Sequence, residues 1–232
     1  DFNDTKGDYP PDKAVHELFE EQAAQTPESP ALICGDQKMT YRELNGQANQ
    51  IARLLRNKGV KPEAIVGLMV ERSPAMIAGL LGILKAGGAY LPIDAEFPPD
   101  RIDDMIRYSG VEIVVSRKKF AGRISKACDM IDIESDGIAR KDASNLQNIS
   151  RPDNLLYVMF TSGSTGNPKG VMIEHGNMNN FIAAMKRVAD FGSGRKVLAL
   201  TTISFDIFAL ETLLPLASVL PPLCSPPPLW PL

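Results

Sequence analysis

The sequence is short of the residues that metal, redox and nucleic-acid chemistry would draw on. Its 232 residues include three cysteines, two histidines and one tryptophan. Cys34, Cys128 and Cys224 lie far apart, odd in number and in no metal-ligand spacing, so neither a disulfide framework nor a zinc site is expected. They read as buried or free thiols of a reducing compartment, the cytoplasm. His16 and His175 have no C-x-x-C or H-E-x-x-H pattern beside them. His16 stands in HELFE, which lacks the second histidine, and a helix-surface position is expected for it. Basic residues are not in excess: 25 Lys and Arg against 28 Asp and Glu leave a net charge of −3, with no electrostatic footprint for nucleic acid. The apolar run Ala75–Leu84 is too short to span a bilayer, and the opening DFNDTKGDYP is polar where a signal peptide would be apolar, so no membrane partner is expected. Neither a G-x-G-x-x-G fingerprint nor a G-x-x-x-x-G-K-[ST] loop occurs, and no internal repeat is apparent.

What is present is a soluble-protein composition, 44% hydrophobic and 23% charged, patterned as alternating strands and helices. Residues 1–12 read as a linker from an upstream domain. Lys13–Gln25 has helical apolar spacing and is stopped by Pro27. Ala31–Cys34 and Lys38–Thr40 flank Gly35-Asp36 as a hairpin. Thr40 and Glu43 form a capping box that opens a helix with Leu44, Ala48, Ile51 and Leu55 on one face, ended by Gly59. Ile65–Val70 is a strand, Ser73-Pro74 starts a helix that Gly87 ends, and Ala89–Ile93 is the next strand. Strand, helix, strand predicts a βαβ unit and an α/β fold of mostly parallel sheets flanked by helices. Helix Pro99–Ser109, strands Glu112–Ser116 and Met130–Ile133, helix Gly176–Asp190, strand Lys196–Leu200 and a helix from Phe208 continue the pattern.

Chemistry concentrates in Tyr157–His175, YVMFTSGSTGNPKGVMIEH. The apolar run Tyr157–Phe160 is a buried strand, and strand-like residues return at Gly170–Ile173. Between them lies a loop of hydroxyls, glycines and one lysine. Gly163 and Gly166 let backbone N–H groups turn inward. Thr161, Ser162, Ser164 and Thr165 add donors, and Lys169 adds a point charge behind the stiffening Pro168. The bland alternative is a Ser/Gly surface turn. The order of the residues favours a polyphosphate cradle.

That loop resembles, nearly letter for letter, the phosphate signature T-S-G-S-T-G-x-P-K-G of the adenylate-forming (AMP-binding) enzymes. Three further stretches narrow the resemblance. Met39–Leu44 and Leu84–Asp94 are similar to the first and second core motifs of nonribosomal peptide synthetase adenylation domains, and Ser204-Phe205-Asp206 with Ile207 and Phe208 is similar to the fourth. The chain is thus identified as the N-terminal part of such a domain, with 13–216 as its body.

The resemblance implies ligase chemistry. An amino-acid carboxylate attacks the α-phosphate of Mg-ATP, and the acyl group then passes to the phosphopantetheine thiol of a carrier domain. It implies that Thr161, Ser162, Gly163, Ser164, Thr165, Gly166 and Lys169 hold the leaving phosphates. Asp206 would pair with the substrate's α-ammonium group, which argues against fatty-acyl and aryl relatives and against an acyl-CoA synthetase-type ligase; taken alone, Asp206 reads first as a helix N-cap, and the phosphate loop beside it favours the pocket. Ile207 and Leu210 would line the side-chain pocket, suiting a small or aliphatic amino acid, glycine first, and Phe205 would stand as an aromatic gate. Helix-core roles fit Ile207 and Leu210 as well, and a core phenylalanine fits Phe205. The first two motifs are read as structural. Condensation and carrier domains are the implied partners, and no protein metal ligands are expected.

The last stretch departs from the family. Leu213–Leu232 holds seven prolines and no charge, too much proline for a core strand or a membrane helix. Residues 217–232 are expected to be an aberrant tail, from truncation or a shifted frame near Ala217. The family's catalytic lysine would lie beyond this sequence, leaving either an incomplete enzyme or a non-catalytic docking remnant.

Overall fold

The computed structural model describes residues 12–124, 127–161, 169–188, 196–218 and 222–224. Two sheets carry the fold. The larger is assembled from β3 (Ile65–Met69), β4 (Ala89–Pro92), β5 (Ile113–Ser116), β6 (Asp129–Asp132), β7 (Leu155–Thr161) and β8 (Lys169–Glu174), in the order β6-β5-β3-β4-β7-β8. Its first five strands run parallel and only β8 is antiparallel, folded back on β7. The smaller sheet has the order β2-β1-β10-β9, with β1 (Pro30–Cys34), β2 (Gln37–Thr40), β9 (Val197–Ala199) and β10 (Pro222–Cys224). The α/β reading therefore holds, with mostly parallel sheets. One expectation is corrected. Proline does not keep the last stretch out of a sheet, because Pro222–Cys224 forms an inner strand, parallel to both β1 and β9. Pro222 opens that strand, a place where a missing N–H costs least.

The helices are α1 (Val15–Gln25), α2 (Tyr41–Asn57), α3 (Pro74–Ala86), α4 (Pro99–Ser109), α5 (Asp136–Ala139), α6 (His175–Val188) and α7 (Ile207–Leu216). Local chemistry sets their ends. The Thr40 hydroxyl accepts from Glu43 N–H, and the Glu43 carboxylate accepts from Thr40 N–H at 2.8 Å, a closed capping box. Ser73 caps α3 with Pro74 in its first turn, and Gly87 ends it at φ +99°, where a side chain would be strained. Helices α2 and α3 pack closely because Gly82 has no side chain: a Cβ there would lie 2.6 Å from Ile51 Cγ2.

Burial divides into two cores. The α2 and α3 residues Leu44, Ala48, Ile51, Leu80 and Leu84 share one with Leu68, Tyr90 and Tyr157, and with Phe208 and Leu213 of α7. On the opposite face of the large sheet, Ile102, Met105 and Ile106 of α4 pack on Met69, Leu91 and Val114. Helix α3 is buried continuously from Met76 to Ala86, including Lys85. The Lys85 ammonium pairs with Glu20 and donates to Asn45 Oδ1 at 2.7 Å and Asn49 Oδ1 at 2.8 Å. Burial pulls its pKa down to about 8 in spite of the Glu20 charge. His16, expected on a helix surface, is instead 2% exposed and packs edge-on against the equally buried His175, with ring centroids 5.8 Å apart. The pattern HELFE hid this, because a neutral imidazole is apolar enough to join a core stripe.

Candidate functional site

The β7–β8 hairpin carries the first part of the site. Its register pairs Tyr157 with Ile173, Met159 with Val171 and Thr161 with Lys169. Thr161 and Lys169 are therefore the two posts of the glycine-hydroxyl loop, at the carboxyl end of a parallel strand, where ligands of open α/β sheets gather. Both are exposed, and the Thr161 hydroxyl lies 3.5 Å from the Lys169 carbonyl oxygen. Ser162, Gly163, Ser164, Thr165 and Gly166 lie outside the described residues.

Helix α7 carries the second part. Asp206 is its N-cap, but in a helical rather than extended conformation (φ −61°, ψ −33°), and its Oδ1 accepts from the next amide, Ile207 N–H, at 2.8 Å. The cap reading of Asp206 and the site reading are both compatible with this geometry. No ion pair to Asp206 forms among the described residues.

Asp206, Ile207 and Leu210 line one side of an open cavity of about 360 Å³. Tyr157 and Ile173 from the hairpin and Asn177, Met178 and Phe181 from α6 line the other. Phe205 is not part of this lining; its ring is 62% exposed beside the cap. The loop posts stand four residues along β7 from Tyr157, about 13 Å at ordinary strand rise. The hairpin thus joins a polar rim to a mainly apolar cavity.

Burial raises the Tyr157 phenol above its ordinary range, and the nearby Asp206 charge raises it further, so the cavity holds a neutral hydroxyl beside a carboxylate. Beneath the cavity, α6 is fixed through its first residue. His175 Nδ1 accepts from Val15 N–H at 3.1 Å, which orients α6 against α1. Burial lowers the His175 pKa to about 4, so the ring is neutral and keeps its acceptor.

Sequence reasoning missed the α6 wall and Tyr157. The signal was available for part of it: Asn177 and Phe181 stand i, i+4 on one helix face. Nothing in the spacing said that this face would turn toward α7 rather than the core.

Three comparisons bear on this arrangement. The chain is 47% identical over 211 residues to bacitracin synthase 1 of Bacillus licheniformis, covering 90% of this chain and 4% of that protein. It is 45% identical over 211 residues to gramicidin S synthase 2 of Brevibacillus brevis, covering 91% of this chain and 5% of that one. The chain therefore spans only a small part of the curated relatives' length. Among solved structures, the AMPPNP-bound form of the nonribosomal peptide synthetase FmoA3 (S1046A) superposes with a TM-score of 0.91 at 30% identity, over 99% of this chain and 24% of that one. The N-terminal subdomain of Klebsiella oxytoca NpsA gives 0.83 at 26% identity, over 96% and 57%. The family described as "AMP-binding enzyme" matches residues 19–225, a span that takes in the hairpin, both cavity helices and the strand Pro222–Cys224. The loop posts and the cavity beside them thus sit within one continuous family match, and the chain belongs to the AMP-binding enzymes.

Proposed function

We propose that this chain is the ATP-binding part of an amino-acid-adenylating domain of a nonribosomal peptide synthetase. One observation carries the reading: a carboxylate with no cation partner among the described residues, Asp206, stands at a mainly apolar cavity. Asp206 is itself exposed at that cavity, so its charge stays open to a positively charged guest by Coulomb attraction, and an amino acid's ammonium group supplies one while its side chain enters the cavity. The relative FmoA3 is known in forms bound to AMPPNP and to α-methyl-L-serine-AMP, which supports a nucleotide and an aminoacyl adenylate as the ligand class here.

In this reading the Thr161–Gly166 loop and Lys169 hold the β- and γ-phosphates. Thr161 and Lys169, exposed at the loop's two ends, offer the hydroxyl and ammonium donors a polyphosphate needs. Magnesium, which neutralises phosphate charge, would come with the nucleotide; no cluster of three or more potential metal ligands occurs among the described residues. The amino-acid carboxylate oxygen bonds to the α-phosphorus, the bond to the bridging oxygen breaks, and pyrophosphate leaves with the electron pair. The chain's share of that step is positioning and charge neutralisation. The acyl group would pass to phosphopantetheine on a carrier domain, with a condensation domain upstream. Glycine, or another small amino acid, and aliphatic amino acids belong to the proposed class. The cavity of about 360 Å³ has room for any of these side chains, which supports the class without ordering its members.

A second reading, a docking segment without catalysis, draws on the exposed apolar residues Val171, Met172, Leu198 and Leu200. Equilibrium binding of Mg-ATP to the folded chain, followed by amino-acid-dependent ATP–pyrophosphate exchange, separates the two. The expected result is ATP binding that Lys169→Ala weakens by about tenfold, the loss of one charge-assisted contact. A folded chain that retains no ATP at millimolar concentration overturns the proposal in favour of docking.

A further inference from the structure

Between the two sheets, the exit of β9 is gripped from both sides by charged groups that the site description above leaves unused. Arg72, which follows β3 in the large sheet, donates to three successive carbonyls: Ala199 and Thr201 closely, and Leu200 at 3.0 Å. Glu211, on α7, accepts from the amides of Leu200 at 2.9 Å and Thr201 at 2.8 Å, and from the Thr201 hydroxyl at 2.9 Å. The guanidinium takes the carbonyl ends and the carboxylate takes the amide ends of the same short segment. Arg72 and Glu211 do not pair with each other in any ion pair of the described residues. Each satisfies its charge on backbone dipoles instead, and the strand exit is polarised between them.

The gripped segment leads directly into the site. After Thr201 a tight turn follows, in which Phe205 N–H donates to Thr202 O at 3.1 Å, and Phe208 and Ala209 N–H donate to Phe205 and Asp206 O at 3.1 and 2.9 Å. Glu211 reaches back from the second turn of α7 and closes this stretch into a ring that holds Asp206 and Ile207. Arg72 bolts the ring to the sheet whose β7 strand carries Tyr157 and Thr161. Resting on the reading of Asp206 as the ammonium partner, we propose that Arg72 and Glu211 are positioning residues, which fix Asp206, Ile207 and Leu210 relative to the hairpin and so set amino-acid affinity without touching either substrate.

The bonds lie at partly exposed positions, so water can replace them when a side chain is removed. The fold then survives while the position of α7 loosens; a displacement of about 1 Å costs of order a hundredfold in the rate of a positioned reaction, and a smaller loss is expected in affinity. Arg72→Lys is informative because a single ammonium cannot span three carbonyls as a planar guanidinium does.

The test uses the full chain with Arg72→Ala, Arg72→Lys and Glu211→Gln, and Arg107→Ala, an exposed pair far along the sequence, as control. Amide hydrogen exchange is followed by mass spectrometry, and Mg-ATP and amino-acid binding are measured separately. The expectation for Arg72→Ala is roughly tenfold faster exchange across residues 197–210 with β3 unchanged, and amino-acid affinity lowered by about tenfold with ATP affinity within about twofold. Arg72→Lys and Glu211→Gln should fall between Arg72→Ala and wild type. Unchanged exchange over 197–210, or ATP and amino-acid affinity weakened together, overturns the clamp. Wild-type chain that binds ATP but no amino acid sinks the ammonium reading instead, and the exchange data then decide the mechanical part alone.

Discussion

Two apolar helices of similar make-up, α3 and α7, do opposite jobs. Both begin at a polar cap, Ser73 and Asp206, and both carry a mainly apolar body. In α3 the Ser73 side chain accepts from Met76 N–H, three residues on, and every residue from Met76 to Ala86 is buried. In α7 the Asp206 side chain accepts, among the described residues, from the adjoining Ile207 N–H, and Ile207 is 53% exposed while Phe208 and Ala209 next to it are buried. A cap that reaches the third amide seals a helix start. In the proposed function, a carboxylate held at the adjoining amide, with a cavity beside it, keeps its charge for an ammonium guest. Cap chemistry alone therefore does not separate structure from site; what surrounds the cap differs, a packed core after Ser73 and an open cavity beside Asp206.

That contrast can be broken most forcefully on the α3 side. Lys85→Ala removes a buried cation from Glu20, Asn45 and Asn49 and should cost about 3–5 kcal/mol of stability, read as a lower midpoint in urea unfolding. A loss below about 1 kcal/mol would place Lys85 in the class of exposed pairs and end its structural role.

Acid attacks the α6 side. The folded His175 pKa of about 4 lies below its ordinary 6.5, because burial disfavours the charged ring. The unfolded chain then binds the extra proton, so this contribution is whole above pH 6.5 and is lost as pH falls toward 4, amounting to about 3 kcal/mol. Buried His16, also held well below its ordinary value by burial and by the neighbouring His175, Lys85 and Arg56, acts in the same direction. Unfolding midpoints that stay flat between pH 6.5 and 4 would show both rings protonated at no cost.

The smallest effect on stability and the sharpest on binding is expected at α7. Asp206→Asn keeps an oxygen for the Ile207 amide and removes the charge, so the unfolding midpoint should hardly move while amino-acid affinity falls about a hundredfold, near 2.7 kcal/mol. Equal losses in stability and binding would make Asp206 a cap of the Ser73 kind.

Much of the architecture could be read residue by residue. Ser73-Pro74 and Gly87 bracket α3 because capping and left-handed backbone are local requirements. The hairpin around Gly35-Asp36 and the capping box at Thr40 follow for the same reason. His16 was misjudged because burial of a histidine depends on what α6 brings to it, and Pro222–Cys224 because strand Pro is judged by local propensity while its neighbours are β1 and β9, far away in sequence. At the cavity, Asp206, Ile207 and Leu210 come together as the motif resemblance implied, whereas Phe205 is exposed and outside the lining. Asn177 and Phe181 gave a spacing signal but not the direction of their face, and Tyr157 gave none, since membership depends on how β7, α6 and α7 come together.

The local elements, their ends and the family follow from the order of residues, because caps, glycine stops and the loop signature act over a few residues. Three-dimensional packing brings Asp206 into one cavity with Tyr157, 49 residues earlier, buries the Lys85 cation, and sets Arg72 and Glu211 on one strand exit. Those depend on long-range packing, where a side chain's role is set by partners that no window of neighbouring residues contains.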